Sequence, residues 1–450
     1  MPDPGAFAAP PAKPRATDMR RRSPWLTCLV VFGAVVLCIG GGAAVTSLPP
    51  VQERFGWRIS EARAQIWYAL FPPEESVFTP DPTLAAMVRE TLTAAAPTPA
   101  PTSTAQPEAP PTVTSSPTAT RPPLPASIEL GGVRHEYQKW NNCGPATLAM
   151  GLSFWEWPGD QRPVADFVKP NPRDKNVMPY ELADFVNGQT TLRALTRDGG
   201  DLELLKRLIA AGFPVIVEKG FEGYGFEGWM GHYALITGYD DARQRVNTQD
   251  SYIGDDFPFP YADLVKYWRN FNYTYVVIYP PEREAELLSL LGTAADEGAA
   301  NRAAAALASE EIFQLDGRDQ LFAWFNRGTS LVALQDYAGA AAAYDEAFRI
   351  DAELLTTDPE SRPYRIMWYQ TGPYKAYFYS GRYNEVINLA THTLANMSEP
   401  VLEESYYWRG LAREAIGDVP GAMEDLRASL NMHPGFQPAL DQLRRLGVDV

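Results

Sequence analysis

The sequence is poor in the residues from which most recognisable sites are made. It has three cysteines and four histidines in 450 residues. Cys28 and Cys38 fall inside one apolar run near the N-terminus, which leaves Cys143 alone in the rest of the chain. That excludes a disulfide framework. It also argues against a zinc site of the usual kind, which needs clustered cysteines and histidines, so neither a metal nor a cofactor is expected. No glycine-rich phosphate loop is present, because Gly40-Gly41-Gly42 and Gly199-Gly200 lack the strand-to-helix context it requires. Positive charge is also scarce. The formal net charge is −16 and the pI about 4.8, which argues against nucleic acid as a partner and fits an acidic exterior.

What is present is strongly zoned. The chain is longer than the ~250 residues at which single cores stop growing, so more than one domain is expected. Residues 1–23 are polar and end in Arg20-Arg21-Arg22-Ser23. Residues 24–47 hold the apolar run, Trp25 to Thr46, and its length matches the ~20 residues that cross a bilayer. The arginines before it predict a cytoplasmic N-terminus, with the rest of the chain outside the cell. A cleaved signal peptide is the alternative, since Ala43 to Ser47 are small. A lipid anchor on Cys28 or Cys38 is a further one. Residues 48–95 read as a juxtamembrane stalk with two helical signals. Ile59 to Leu70 carries Trp67 and Tyr68, and Pro80 to Ala95 puts Leu84, Met87, Val88 and Leu92 on one face. A partner-binding helix is the other reading of these signals. Residues 96–126 are almost entirely Pro, Thr, Ser and Ala, a composition that stays extended as a polyproline-type spacer.

Chemistry concentrates between Tyr137 and Met150. The residues after Cys143 favour a helix, Pro145 suits its first turn and Asn142 its N-cap. Cys143 then stands at the positive end of the helix dipole, where a thiol is more easily ionised. Gln138, five residues upstream, can donate to an oxyanion formed there. A base is needed as well. His232 opens a β-forming run, Gly231 to Asp240, and a second short strand, Arg245 to Gln249, ends at Asp250-Ser251. Asp250 can hold the imidazole in its working tautomer. His135 is a rival base, although no apolar strand or orienting Asp accompanies it. His392 and His433 read as surface residues. Cys143 alone could be an ordinary buried small hydrophobe; the order Gln, Cys, His, Asp speaks for a nucleophile.

These pieces, Gln138…Cys143-Gly144-Pro145-Ala146, Gly231 to Asp240 and Asp250-Ser251, resemble cysteine peptidase family 39, the bacteriocin-processing or double-glycine-leader peptidases, in its free-standing branch. The resemblance covers roughly residues 127–282. Two departures stand out: the Gln-to-Cys interval is one residue shorter than is usual in the family, and Asn142 stands where an Asp often precedes the Cys. The resemblance implies an α+β papain-like cysteine peptidase domain. In it Cys143 is the nucleophile, His232 the general base and acid, Asp250 the orienter and Gln138 the oxyanion donor, acting on a peptide or protein substrate. Together with the anchor it implies a bacterial membrane protein. The family's leader peptidases are usually fused to an ATP-driven exporter, and this sequence has no nucleotide-binding motif, so a double-glycine leader is not the expected substrate. Two alternatives stay open: acyl transfer by the same triad, and a non-catalytic peptide-binding adaptor.

Within 127–282 the expected elements are a strand near Ile128–Leu130, the Cys143 helix to about Trp157, a helix at Tyr180–Val186 and a strand at Thr191–Leu195. An Asp201-capped helix to Ala211, a strand at Phe213–Glu218, the His232 and Asn247 strands, a helix at Tyr261–Phe271 and a strand at Tyr273–Tyr279 follow. Gly220 to Gly231 alternates glycine and aromatics. It reads either as a mobile substrate-facing rim or as a hairpin whose aromatics close the core. Arg173-Asp174-Lys175 reads as a solvated turn.

Residues 283–450 repeat. Phe322 to Gly328 followed by Gln335-Asp336-Tyr337-Ala338-Gly339 is matched by Tyr406 to Gly410 followed by Gly417-Asp418-Val419-Pro420-Gly421, with a looser copy at Tyr374 to Ala390. The pattern resembles tetratricopeptide repeats, which implies an all-α solenoid. Its role is either a docking surface for a peptide or protein partner or a structural, self-associating module.

Overall fold

The computed structural model describes residues 77–95, 123–174, 176–223, 228–397 and 399–449, together with Ala62 and Ile66. The N-terminal segment, the apolar run, the Ile59–Leu70 signal and most of the Pro/Thr spacer lie outside the described residues. Among the described residues, no helix is long and apolar enough to cross a membrane.

The first described element is α1, Pro82–Ala95. Phe78, just before it, is buried edge-on against Phe348 at 5.0 Å, and Asp81 N–H donates to Glu385 Oε1 at 2.9 Å. This end of the segment read as stalk is therefore docked on the helical region.

An antiparallel sheet follows, built from β1 (Ser127–Glu129), β2 (Arg193–Arg197), β3 (Val215–Phe221), β4 (Met230–Asp240), β5 (Arg245–Asp250), β6 (Gly254–Pro260) and β7 (Tyr275–Tyr279). The strand order is β2-β7-β3-β4-β5-β6, with β1 paired on the far end of β4. Val215 sits between Ile236 of β4 and Val277 of β7. β3 and β7 are buried along their whole length; β7 reads as a continuous apolar run, whereas β3 carries the buried Glu218 and Lys219 after its apolar start. One apolar layer, including Leu205, Leu208, Val217, Ile236 and Trp268, lies on one side of the sheet. The other side holds the helix Cys143–Phe154, whose residues from Gly144 to Ser153 are all buried. Gly151 lets that helix approach, since a Cβ there would stand 2.9 Å from Ile278 Cδ1.

Two elements were not legible in advance. The helix Gln161–Val168 is only 8 residues long and starts from an Asp160 cap that accepts from Arg162 N–H at 2.8 Å. β6 contains Pro258 and Pro260 and survives as a strand because it is the edge of the sheet, where a missing N–H costs no ladder bond. The Cys143 helix ends at Phe154, before Trp157. Asn142 occupies the cap position, but its side chain makes no cap bond and instead donates to Gln161 Oε1 at 3.3 Å. Asp201 caps its helix as expected, accepting from Leu204 N–H at 2.6 Å.

From Glu284 to Arg445 the chain is helical, with sequence neighbours packed on one another. The repeat has structural counterparts. Asp336 and Asp418 cap their helices by accepting from Gly339 and Gly421 N–H, at 2.9 and 3.0 Å. Gly328 and Gly410 sit where a Cβ would come within 2.6 Å of Tyr344 and 3.2 Å of Ala422 O. A buried cluster pairs Arg382 with Asp345, Tyr377 with Asp345 and Arg382 with Glu385.

The two regions share one core. Trp229 stacks on Phe271 with ring centroids 5.6 Å apart and also meets Phe322 and Tyr369. Asn272 N–H donates to Asn326 Oδ1 at 3.0 Å, and Asn326 Nδ2 donates to Arg269 O at 2.7 Å. Of the two readings of Gly220 to Gly231, the core-closing one holds for Trp229, which is buried in the shared core. Residues 224–227 lie outside the described set.

Candidate active site

Cys143 is the first residue of its helix and the one free cysteine among the described residues. The loop before it is braced from behind. Lys169, itself buried, donates from Nζ to Asn141 O at 2.9 Å and to Asp174 O at 3.2 Å, and Asn141 Nδ2 donates to Asp174 O at 3.0 Å. Asn141 takes a left-handed backbone, φ 53°, at the turn into the helix, a conformation asparagine tolerates better than most residues.

His232 comes from β4, opposite Lys219 of β3 in the register. Its Nε2 lies 3.0 Å from Asp250 Oδ1, and both side chains are almost fully buried. The same Asp250 oxygen accepts from Tyr252 N–H at 2.9 Å and Ile253 N–H at 3.0 Å, so the carboxylate is held by its own turn. With Nε2 engaged by Asp250, Nδ1 is the ring nitrogen left for the thiol, and His232 stands close enough to Cys143 for each to shift the other's ionisation. Phe221 stacks on the imidazole at 4.5 Å. Gln138 N–H donates to Ser251 O at 2.9 Å, and Ser251 Oγ donates to Gln138 Oε1 at 2.9 Å. That bond takes the acceptor end of the Gln138 amide and leaves its NH₂ as the donor end.

The charges are mutually supporting. Burial pushes the Cys143 thiol up, but the neighbouring His232 imidazole, the Tyr233 backbone and the charge of Lys169 outweigh it, so the thiol lies below its ordinary value. Burial pushes His232 down, but Asp250 and the neighbouring Cys143 carry it above its ordinary value, against an opposing push from Lys219. Burial raises the Asp250 carboxyl, but His232, Lys219 and the Ile253 N–H hold it well below the usual carboxylate range. A lowered thiol beside a raised imidazole favours a thiolate–imidazolium pair. A cavity of about 280 Å³ lies beside Asp250, lined by Lys219, Phe221, Thr248, Ile253 and Phe257 among others; Cys143 does not line it.

The fold thus brings together Cys143, His232 and Asp250, and ties Gln138 to Ser251 beside Asp250. The rival base His135 is packed edge-on to Tyr137 at 4.9 Å, and neither ring nitrogen has a hydrogen-bond partner among the described residues. Burial lowers its pKa. Other expectations need correction. Asp174 is not in a solvated turn but buried, 4% exposed, because its carbonyl receives Lys169 and Asn141. His392 is half-buried near Phe78. His433 is not a surface residue either: its Nδ1 lies 2.6 Å from Glu403 Oε1. The scattered histidines argued against any metal-ligating group, yet folding places one ligand atom each from Glu181, Glu403 and His433 within 4.8 Å of one another. Sequence reasoning missed Lys219, Phe221 and Lys169. Only the first two carried a signal, their alternation along the strand that pairs with His232.

Comparison with known proteins bears on this stretch alone. Residues 131–276 match the Peptidase_C39 like family, which makes this roughly a third of the chain a C39-like peptidase domain. Its antiparallel sheet and helices fit a papain-like arrangement. No curated protein matches the chain. A solved Bacillus anthracis protein described as a C39-like peptidase is similar over 34% of this chain and 96% of its own, with 16% identity and a TM-score of 0.28.

Proposed function

We propose that the chain is a membrane-anchored extracytoplasmic cysteine peptidase that hydrolyses peptide or amide bonds through Cys143, His232 and Asp250. The observation that carries this is the buried 3.0 Å His232–Asp250 pair, set beside a thiol at a helix start. The Cys143 thiolate attacks the carbonyl carbon and forms a tetrahedral intermediate. Its oxyanion is held by the Cys143 N–H and the Gln138 amide. Imidazolium His232 gives its proton to the leaving amine as the C–N bond breaks. Water, deprotonated by His232, then attacks the acyl-sulfur carbon and frees the thiolate. Asp250 fixes the ring and stabilises its charge throughout.

The localisation rests on the length of the apolar run at 24–47 and on Arg20-Arg21-Arg22 before it. The helical region is read as tetratricopeptide repeats that dock a protein or peptide partner. What supports this is the recurrence of the Asp-to-Gly cap and the small residue facing its partner helix. Treating the full chain and its Cys143→Ala variant with a peptide-like electrophilic probe tests the catalytic reading. Labelling of Cys143 with turnover of a peptide library supports it. A Cys143 inert to the probe, with no cleavage, leaves the adaptor. Product containing an added amine rather than water moves the assignment to acyl transfer.

A further inference from the structure

The cluster of Glu181, Glu403 and His433 takes no part in the chemistry above. Glu181 lies in the helix Pro179–Gln189 of the C39-like domain. Glu403 opens the helix Glu403–Ala415, and His433 caps the end of Val419–Met432, both in the helical region. Two consecutive helices of the helical region and one helix of the C39-like domain therefore converge at the junction of the two regions. One ligand atom from each lies within 4.8 Å of the others.

A second observation points to a ligand. Glu403 is 3% exposed, and its Oε2 is buried without a hydrogen-bond partner among the described residues. Its other oxygen is the one beside His433 Nδ1. Glu181 is oriented from outside the cluster, with Oε2 accepting from Met178 N–H at 2.8 Å. Asp174 and Glu404 add further buried carboxyl groups to the neighbourhood. Buried polar groups of this kind are paired or bound to a metal ion, and among the described residues His433 is the basic group the structure sets against Glu403.

We propose that Glu181, Glu403 and His433 hold a divalent transition-metal ion that clasps the peptidase domain to the helical region. The donors select its type. Two carboxylates and an imidazole suit Zn²⁺, whereas Ca²⁺ and Mg²⁺ prefer oxygen alone. The fourth tetrahedral position falls to water. Tetrahedral ligands at ~2.0–2.1 Å stand ~3.3 Å apart, so the 2.6 Å Glu403–His433 contact opens by some tenths of an ångström as the ion replaces the shared proton. The clasp sits behind the catalytic loop: Asp174, which shares the neighbourhood of Glu181, receives Lys169 and Asn141 at its carbonyl.

The test is calorimetric titration of the chelator-stripped full chain with ZnCl₂, alongside Glu403→Gln and His433→Ala. All three chains carry the same three cysteines, so any zinc they hold cancels in the difference. The wild type is expected to bind one more Zn²⁺ than either variant, or to bind it at least tenfold more tightly, and to gain thermal midpoint on adding Zn²⁺ where the variants gain none. Co²⁺ at this site is expected to show d–d absorption without a thiolate charge-transfer band, a readout on the wild type alone that survives misfolding of a variant. Equal zinc binding in all three chains, Co²⁺ bound only with a thiolate band, or preference for Ca²⁺ over Zn²⁺ would overturn the proposal.

Discussion

Phe221 lies against His232 with ring centroids 4.5 Å apart and planes inclined by 25°. The contact covers one face of the imidazole while Asp250 engages its edge at Nε2. A ring so enclosed has one orientation, and catalytic geometry depends on that. Phe221→Ala is expected to lower kcat by about tenfold or more with little change in KM, in a chain still cooperative in thermal melting. Unchanged kcat would show that Asp250 orients the ring alone.

Asp250→Asn keeps the shape of the orienter and removes its charge. The loss expected in kcat/KM is on the order of 10²–10⁴-fold, by comparison with triad enzymes in which the equivalent change disturbs the tautomer. The pH profile carries the sign. His232 is raised mainly by Asp250, so the alkaline limb of the activity bell, where the imidazolium loses its proton, is expected to move to lower pH. The stability contribution moves too. The lowered Asp250 pKa stabilises above the ordinary carboxylate range and fails only in strong acid. The raised His232 pKa stabilises below about pH 6.5 and fades as pH climbs through the folded value. The destabilisation measured by denaturant unfolding of Asp250→Asn is thus expected to be largest at mildly acidic pH.

Lys219→Met tests the opposing charge. Lys219 lowers the His232 pKa, so removing it is expected to shift the alkaline limb upward, the reverse of Asp250→Asn. An unmoved limb would place the ammonium too far from the pair to matter.

Gln138→Ala is expected to cost about 10²–10³-fold in kcat, the usual loss when one oxyanion donor is removed. Ser251→Ala frees Oε1 of that amide and is expected to give a smaller loss of the same kind, in kcat rather than KM. If Gln138→Ala acts on KM alone, Gln138 binds substrate and the oxyanion assignment fails.

The placement of the candidate residues was legible because it rests on local chemistry: a thiol at a helix start, a histidine in one strand, an aspartate ending the next. So were most strands and the helical character of the last third, since both follow from runs of apolar residues. What escaped depends on residues distant in sequence. Phe221 and Lys219 matter only through the strand register that sets them beside His232. Asp174 looked like a polar turn residue and is buried because Lys169 and Asn141 reach its carbonyl. β6 was hidden by its prolines, which an edge strand accepts. The shared core around Trp229 could not be read from a glycine-rich segment, because its neighbours Phe322 and Tyr369 belong to the helical region.

That shared core gives a stability prediction. Trp229→Ala is expected to cost ~3–5 kcal/mol, the range for a large buried aromatic, measured as a fall in the denaturant midpoint. A cost below ~1 kcal/mol would mean that the two regions do not rely on this residue for their packing.

The central claim is that Cys143 and His232 act as one ionised pair. The most direct measurement is the pH dependence of Cys143 alkylation by iodoacetamide, read on the Cys143 peptide by mass spectrometry, in the full chain and in His232→Ala. The account predicts rapid alkylation persisting below pH 7 in the full chain, and a shift of the profile toward the ordinary thiol range near pH 8.5 when the imidazole is removed. Profiles that coincide in the two chains would contradict it.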